Sequence, residues 1–310
     1  MNAAIPTPAP LPASIPEYLE QLRTALAAAD PALVQDALYD AEEYLRSELA
    51  EQSAQGGSGK SEAEVIASVA SSYGAPEEVA DIYRDTEVKV QTALRAPPPR
   101  PRESALGRFF GVAADPRTYA SMFYMVLALA TGIFYFTWVV TGVSMSFGLA
   151  VLIIGIPFVI LYFGSVRVLS LVEGRIVEVM LGERMPRRPL YSERGKPLLE
   201  RIKDMFTDPR TWSTQLYFLL MLPLGIVYFV FVVAGLSVSL SLIAAPVLLL
   251  LGYADVVQMD GINLHPQWAW PIALVAGTVL LFAVLHGVRA IGRLHGQLAK
   301  HLLVKSAQYS

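Results

Sequence analysis

Residues 115–149 read DPRTYASMFYMVLALATGIFYFTWVVTGVSMSFGL, and residues 208–242 read DPRTWSTQLYFLLMLPLGIVYFVFVVAGLSVSLSL. Set 93 residues apart, the two stretches agree at 17 of 35 positions, including Tyr124/Tyr217, Gly132/Gly225 and Tyr135/Tyr228. That is more than shared hydrophobicity alone produces. The correspondence resumes at an offset of 122, where Val166-Arg167 meets Val288-Arg289 and Gly174 meets Gly296. Each half therefore reads as a span, a short outer turn, a second span and a cytoplasmic helix. Both copies are expected to run in the same direction, as a parallel repeat. The second copy carries about 29 extra residues on its outer side.

Apolar runs of about 20 residues cross the ~30 Å hydrocarbon core as helices. Four are expected, at Tyr119–Val140, Phe147–Val166, Trp212–Val233 and Trp270–Gly287, none containing Asp, Glu, Lys or Arg. All 24 Lys and Arg lie in 1–117, 167–210 or 289–305. By the positive-inside rule both termini and the middle loop are then cytoplasmic. Val238–Gly252, with Pro246 inside it, is short for a span and is expected to be re-entrant or interfacial on the outer side. Asp-Pro-Arg-Thr suits the inner surface: Asp caps, Pro opens the helix, and the following aromatic enters the interface.

Charge divides the chain. Residues 1–90 carry 16 acids and 5 bases, net −11, and residues 91–310 carry 19 bases and 11 acids, net +8. The acidic part reads as a small helical head. Ser14 and Glu17 form one capping box and Ser61 and Glu64 another; Asp30-Pro31 opens a helix, Gly74 stops one, and Pro76 starts the next with Glu77 and Glu78 in its first turn. Val79, Ile82 and Tyr83 are expected on its buried face. The fold class is all-α, a cytoplasmic helical domain followed by a four-span bundle of two parallel repeats. The divisions are a tail at 1–13, the head at 14–92, a Pro/Arg-rich linker at 93–114, repeat one at 115–190, a connector at 191–207, and repeat two at 208–305 with an outer insertion at about 238–268.

Several chemistries find no support. With no cysteine, disulfides, thiol catalysis and thiolate metal sites are excluded. The first 16 residues have neither a charged n-region nor an apolar h-region, so no cleavable signal peptide is expected. Ala54–Ser61 loosely matches a phosphate-binding loop but lacks the preceding strand. His265, His286, His295 and His301 show no i,i+4 pairing, so no metal or cofactor is expected. Only His286 is ionisable within the expected spans, which argues against a transporter.

Two surfaces are candidates for function. Outside, Asp255, Asp260, Asn263, His265, Trp268 and Trp270 form a base-free surface suited to receiving a cation, a cationic peptide or a lipid headgroup. Inside, Arg184, Arg187, Arg188, Arg194, Lys196, Arg201 and Lys203 form a patch suited to anionic lipid, at about 1 kcal/mol per base near the surface. The acidic head is a second occupant for that patch.

The head segments YLEQLRTAL, ALYDAEEYLRSEL and GKSEAEVIASVASSYGAPEEVADIY resemble the HAAS signalling domain of bacterial membrane proteins. The outer turns GVSMSFGLA and GLSVSLSLI and the closing HGVRAIGRLHGQLAKHLL resemble the "putative sensor" region of actinobacterial histidine kinases. Residues 1–310 contain no phospho-acceptor or ATP-binding region, so the resemblance implies signalling without an enzyme. It further implies the bacterial inner membrane, and a cytoplasmic partner that is a PadR-type regulator or a transporter component. Membrane lipid is a direct partner, nucleic acid is not, and a second copy of the chain is a further candidate. The competing expectation is an accessory subunit of a membrane transporter.

Overall fold

The computed structural model describes residues 12–54, 61–94, 104–149, 155–188, 203, 206–251 and 266–304. Among them there are helices and turns but no strand. They divide into two compact units, one of the head helices with 186–188 and one of the remaining residues from 104 onward.

In the first unit, α1 (Ile15–Ala25), α2 (Pro31–Ala54), α3 (Glu62–Tyr73) and α4 (Pro76–Leu94) enclose one apolar core. Tyr18, Leu22, Leu26, Ala37, Ala41, Leu45, Ile66 and Val79 lie at its centre. The caps follow the local chemistry. Ser61 accepts from the Glu64 N–H while Glu64 accepts from the Ser61 N–H, completing that box. At the first helix Ser14 Oγ accepts from the Glu17 N–H, but the Glu17 carboxylate takes the Ala13 N–H, one residue earlier than expected. Gly74 ends α3 at φ +112°, a conformation that favours glycine, and Tyr18 Oη donates to its carbonyl at 2.8 Å. Ile82 departs from expectation: it is 60% exposed, and Ala80 joins Val79 and Tyr83 in its place.

In the second unit, α5 (Ala105–Gly111) and a 3₁₀ turn at Val112–Ala114 precede four long helices: α6 (Pro116–Leu149), α7 (Gly155–Leu181), α8 (Pro209–Leu250) and α9 (Pro266–Leu303). All four contain windows long and apolar enough to cross a membrane. They run to 34, 27, 42 and 38 residues. At ~1.5 Å per residue each exceeds the membrane core. The expected first outer turn is helical through Leu149, and Val238–Leu250 continues α8 instead of forming a separate re-entrant piece. Serine hydroxyls return to their own helix, Ser146 to the Gly142 carbonyl and Ser239 to that of Leu236, so these polar residues need no turn. Pro246 removes one N–H without ending the helix, and Gly277 of α9 packs against Ser239, Leu242 and Ile243.

Both Asp-Pro-Arg-Thr sequences start helices as read. Asp115 Oδ1 accepts the Arg117 N–H at 3.0 Å, and Asp208 Oδ1 the Arg210 N–H at 2.9 Å. Tyr119 and Trp212 each donate to a carbonyl six residues back, those of Ala113 and Phe206.

Where α6 meets α8 the contact is reciprocal. A Cβ on Gly132 would lie 2.5 Å from the Met221 carbonyl oxygen, and one on Gly225 would lie 2.3 Å from that of Ala128. Residues 128 and 221, like 132 and 225, are 93 apart. Tyr135 stacks on Phe218 with ring centroids 4.4 Å apart. Along α6 the partners run Gly225, Met221, Phe218, in descending order. Along α9 they rise, since Arg289 meets Asp115, Gly292 meets Ser121 and His295 meets Tyr124. The contacts between the corresponding helices α6 and α8 thus run in opposing order along the two helices.

Candidate functional site

Eleven residues are close to three helical turns, so Tyr124 and Tyr135 share one face of α6, and Tyr217 and Tyr228 share one face of α8. All four are buried, and their phenols converge on two ionisable groups that are also fully enclosed, Glu173 of α7 at 0% exposure and His295 of α9 at 1%. Tyr124 and Tyr217 each donate to Glu173 Oε1, at 2.8 and 3.0 Å. Tyr135 donates to Oε2 at 3.0 Å. The same two bridging phenols reach His295 Nε2, at 2.6 Å from Tyr124 and 3.0 Å from Tyr217, and Tyr228 lies 3.0 Å from Nδ1.

A proton count assigns the roles. Each phenol has one hydrogen. With Glu173 ionised, Tyr124 and Tyr217 donate to the carboxylate, so their oxygens accept, and His295 Nε2 must be the donor. Nδ1 is then free to accept from Tyr228 when the ring is neutral, or to donate to it when the ring is charged. Three phenolic donors offset much of the cost of enclosing a carboxylate, because hydrogen bonds to an ionised acceptor are roughly twice as strong as neutral ones. The cluster therefore has the donors and acceptors to hold and orient a proton within the helix bundle.

Sequence reasoning missed this site because the spans were ended at Val166 and Gly287, which left Glu173 and His295 among the cytoplasmic charges. The helices themselves run on past these points, α7 to Leu181 and α9 to Leu303, and carry Glu173 and His295 into the packed bundle. The signal was present: Glu173 and His295 precede the matched Gly174 and Gly296, and so correspond at the offset of 122. His286 itself lies near the Phe109 carbonyl, at 3.1 Å. Among the described residues no three His, Cys, Asp or Glu converge.

The inner basic patch is resolved into separate roles. In the first unit, Asp36 Oδ1, on a residue only 6% exposed, accepts the backbone N–H groups of both Arg187 and Arg188, at 2.7 and 2.8 Å. Gln35 donates to the Arg188 carbonyl, and the Arg188 guanidinium pairs with Asp40 at 2.8 Å and lies over the Tyr39 ring. Tyr83 donates to the other Asp40 oxygen at 3.1 Å. Burial pushes the Tyr83 phenol well up, so it remains a donor. Arg184 bonds instead to Glu178 and the Met185 carbonyl, within the second unit. Lys203 is exposed, and Arg194, Lys196 and Arg201 lie outside the described residues. So do Asp255, Asp260, Asn263 and His265 of the outer surface; Trp268 lies on α9 and Trp270 is half-buried there.

A family model described as "Putative sensor" matches residues 124–303, more than half of the chain. The chain belongs to this family. The matched region opens at Tyr124 and contains all six cluster residues of this sensor region. No curated protein and no solved structure matches the chain.

Proposed function

We propose that this sensor-family protein is a non-enzymatic, multi-pass signal adaptor of the bacterial inner membrane, with a HAAS-like head that meets a cytoplasmic partner. The observation that carries this is the fate of the chain after α7. Met185 belongs to the membrane-helix unit, and the next three residues, Pro186–Arg188, are bonded into the head unit through Gln35, Asp36 and Asp40. The chain that leaves α7 therefore enters the head within a few residues, and this covalent link is the route by which a signal would pass. Such a device needs a bias of only a few kcal/mol between two arrangements. The duplication supports the same reading, because two related hairpins packed through Gly132 and Gly225 can change their mutual packing as units. The distribution of Lys and Arg supports cytoplasmic termini.

Photocrosslinking in living cells tests it. A crosslinking residue at the exposed Ile82 of α4 should capture a soluble regulator, and Arg188→Glu should change the yield at least several-fold. Crosslinks confined to the lipid-facing positions Val227 and Val230 of α8, joining them to a permease, would establish the accessory-subunit reading instead.

A further inference from the structure

We infer that Glu173 and His295, with Tyr124, Tyr135, Tyr217 and Tyr228, form a proton-binding site at the meeting of all four membrane helices. The site holds one exchangeable proton, and the gain or loss of that proton changes how the helices pack. It stands independently of the adaptor reading, and the two fail separately.

Three observations carry it. An acid and a base occupy matching positions in the aligned halves, and each is bonded by the tyrosines of both. Packing alone would be met by two neutral side chains at lower desolvation cost. Second, the Nδ1–Tyr228 bond can run in either direction, so His295 can carry one proton or two while every heavy-atom contact is kept. Third, the cluster's charge is its own. Facing Glu173 are Tyr124 and Tyr135 from α6, Tyr217 from α8, and through them His295 from α9; facing His295 are Tyr124, Tyr217 and Tyr228. Charged groups beyond it on the same side are paired: Glu183 with Lys300 at 4.0 Å, and Glu178 with Arg175 and Arg184. One proton then decides whether the enclosed site is neutral or charged. In a dry interior such a change alters packing.

The test uses the full-length protein in lipid nanodiscs with isotope-labelled histidine, followed by NMR from about pH 3 to 9, which extends on both sides of the range of a free imidazole. The His295 signal should titrate as a single proton. Glu173→Gln should move its midpoint by tenfold or more in proton concentration, leaving His286 and His301 in place. Tyr228→Phe, which retains both bridging phenols, should move it as well and carries the test if the glutamine variant does not fold. A His295 signal that stays constant throughout in the wild type, or that is unmoved by the substitutions, overturns the proposal. A normal titration with no change in head crosslinking would leave the site standing and remove the adaptor reading.

Discussion

Asp36 illustrates how much a single carboxylate does in the head. It is enclosed, and it satisfies two main-chain N–H groups at once. Replacing it with alanine leaves both donors without their acceptor, at a cost of about 1–3 kcal/mol. Asp36→Ala is therefore expected to expose residues 14–90 of the full chain to protease several-fold faster, and Asp36→Asn, which keeps one acceptor oxygen, less so. Reversing Arg187 and Arg188 to glutamate should loosen the head too. The Arg188–Asp40 pair is half-exposed, however, and contributes no more than about 1 kcal/mol. The ranking of Asp36→Ala above Arg188→Ala separates main-chain capture from simple charge attraction. Charge complementarity between head and patch was legible in the sequence. The use of backbone N–H groups was not, because composition shows side-chain charge and says nothing of where the main chain points. Glu173 escaped for a related reason: a charge beyond an apolar run reads as solvated unless the helix is known to continue.

Among the elements, the close approach of α6 and α8 is the contact least tolerant of change. A methyl on Gly132 or Gly225 meets a backbone carbonyl, and backbone cannot move aside as a flexible side-chain end does. Gly148 and Gly164 have open space around a built Cβ. Gly132→Ala and Gly225→Ala should each destabilise the bundle by about 1–3 kcal/mol, the usual cost of overpacking, whereas Gly148→Ala and Gly164→Ala should leave it nearly unchanged. Thermal unfolding in nanodiscs distinguishes the two sets; equal effects would show that the helices do not cross at these glycines. That the paired glycines matter was readable from their recurrence at an offset of 93. Helix length was not. Serines in GVSMSFGLA and GLSVSLSLI suggest turns by composition, yet Ser146 and Ser239 bond back along the helix and extend it.

For the molecule as a whole, orientation is where residue pattern and packing make different demands. The basic residues put Asp115 and Asp208 on one face of the membrane, since Arg117 and Arg210 follow them and no Lys or Arg occurs in 118–166 or 211–288. The descending order of contacts between α6 and α8 instead sets these two helix starts at opposite ends of the pair. Cationic side chains act as each helix inserts, before the hairpins pack on one another, and the cost of carrying Arg or Lys across the core is about 2.5–3.5 kcal/mol apiece on insertion scales. The chain has no native cysteine to interfere with labelling. Single cysteines at positions 190, 262 and 305, treated in intact cells with an impermeant thiol reagent, should label at 262 and remain protected at 190 and 305. With that result the charges govern the topology, and the opposing contacts belong to hairpins that cross steeply within one leaflet-to-leaflet span. Labelling at 190 or 305 with protection at 262 would mean that packing direction governs the topology, and labelling at 190 in particular would be incompatible with a head that meets a cytoplasmic partner.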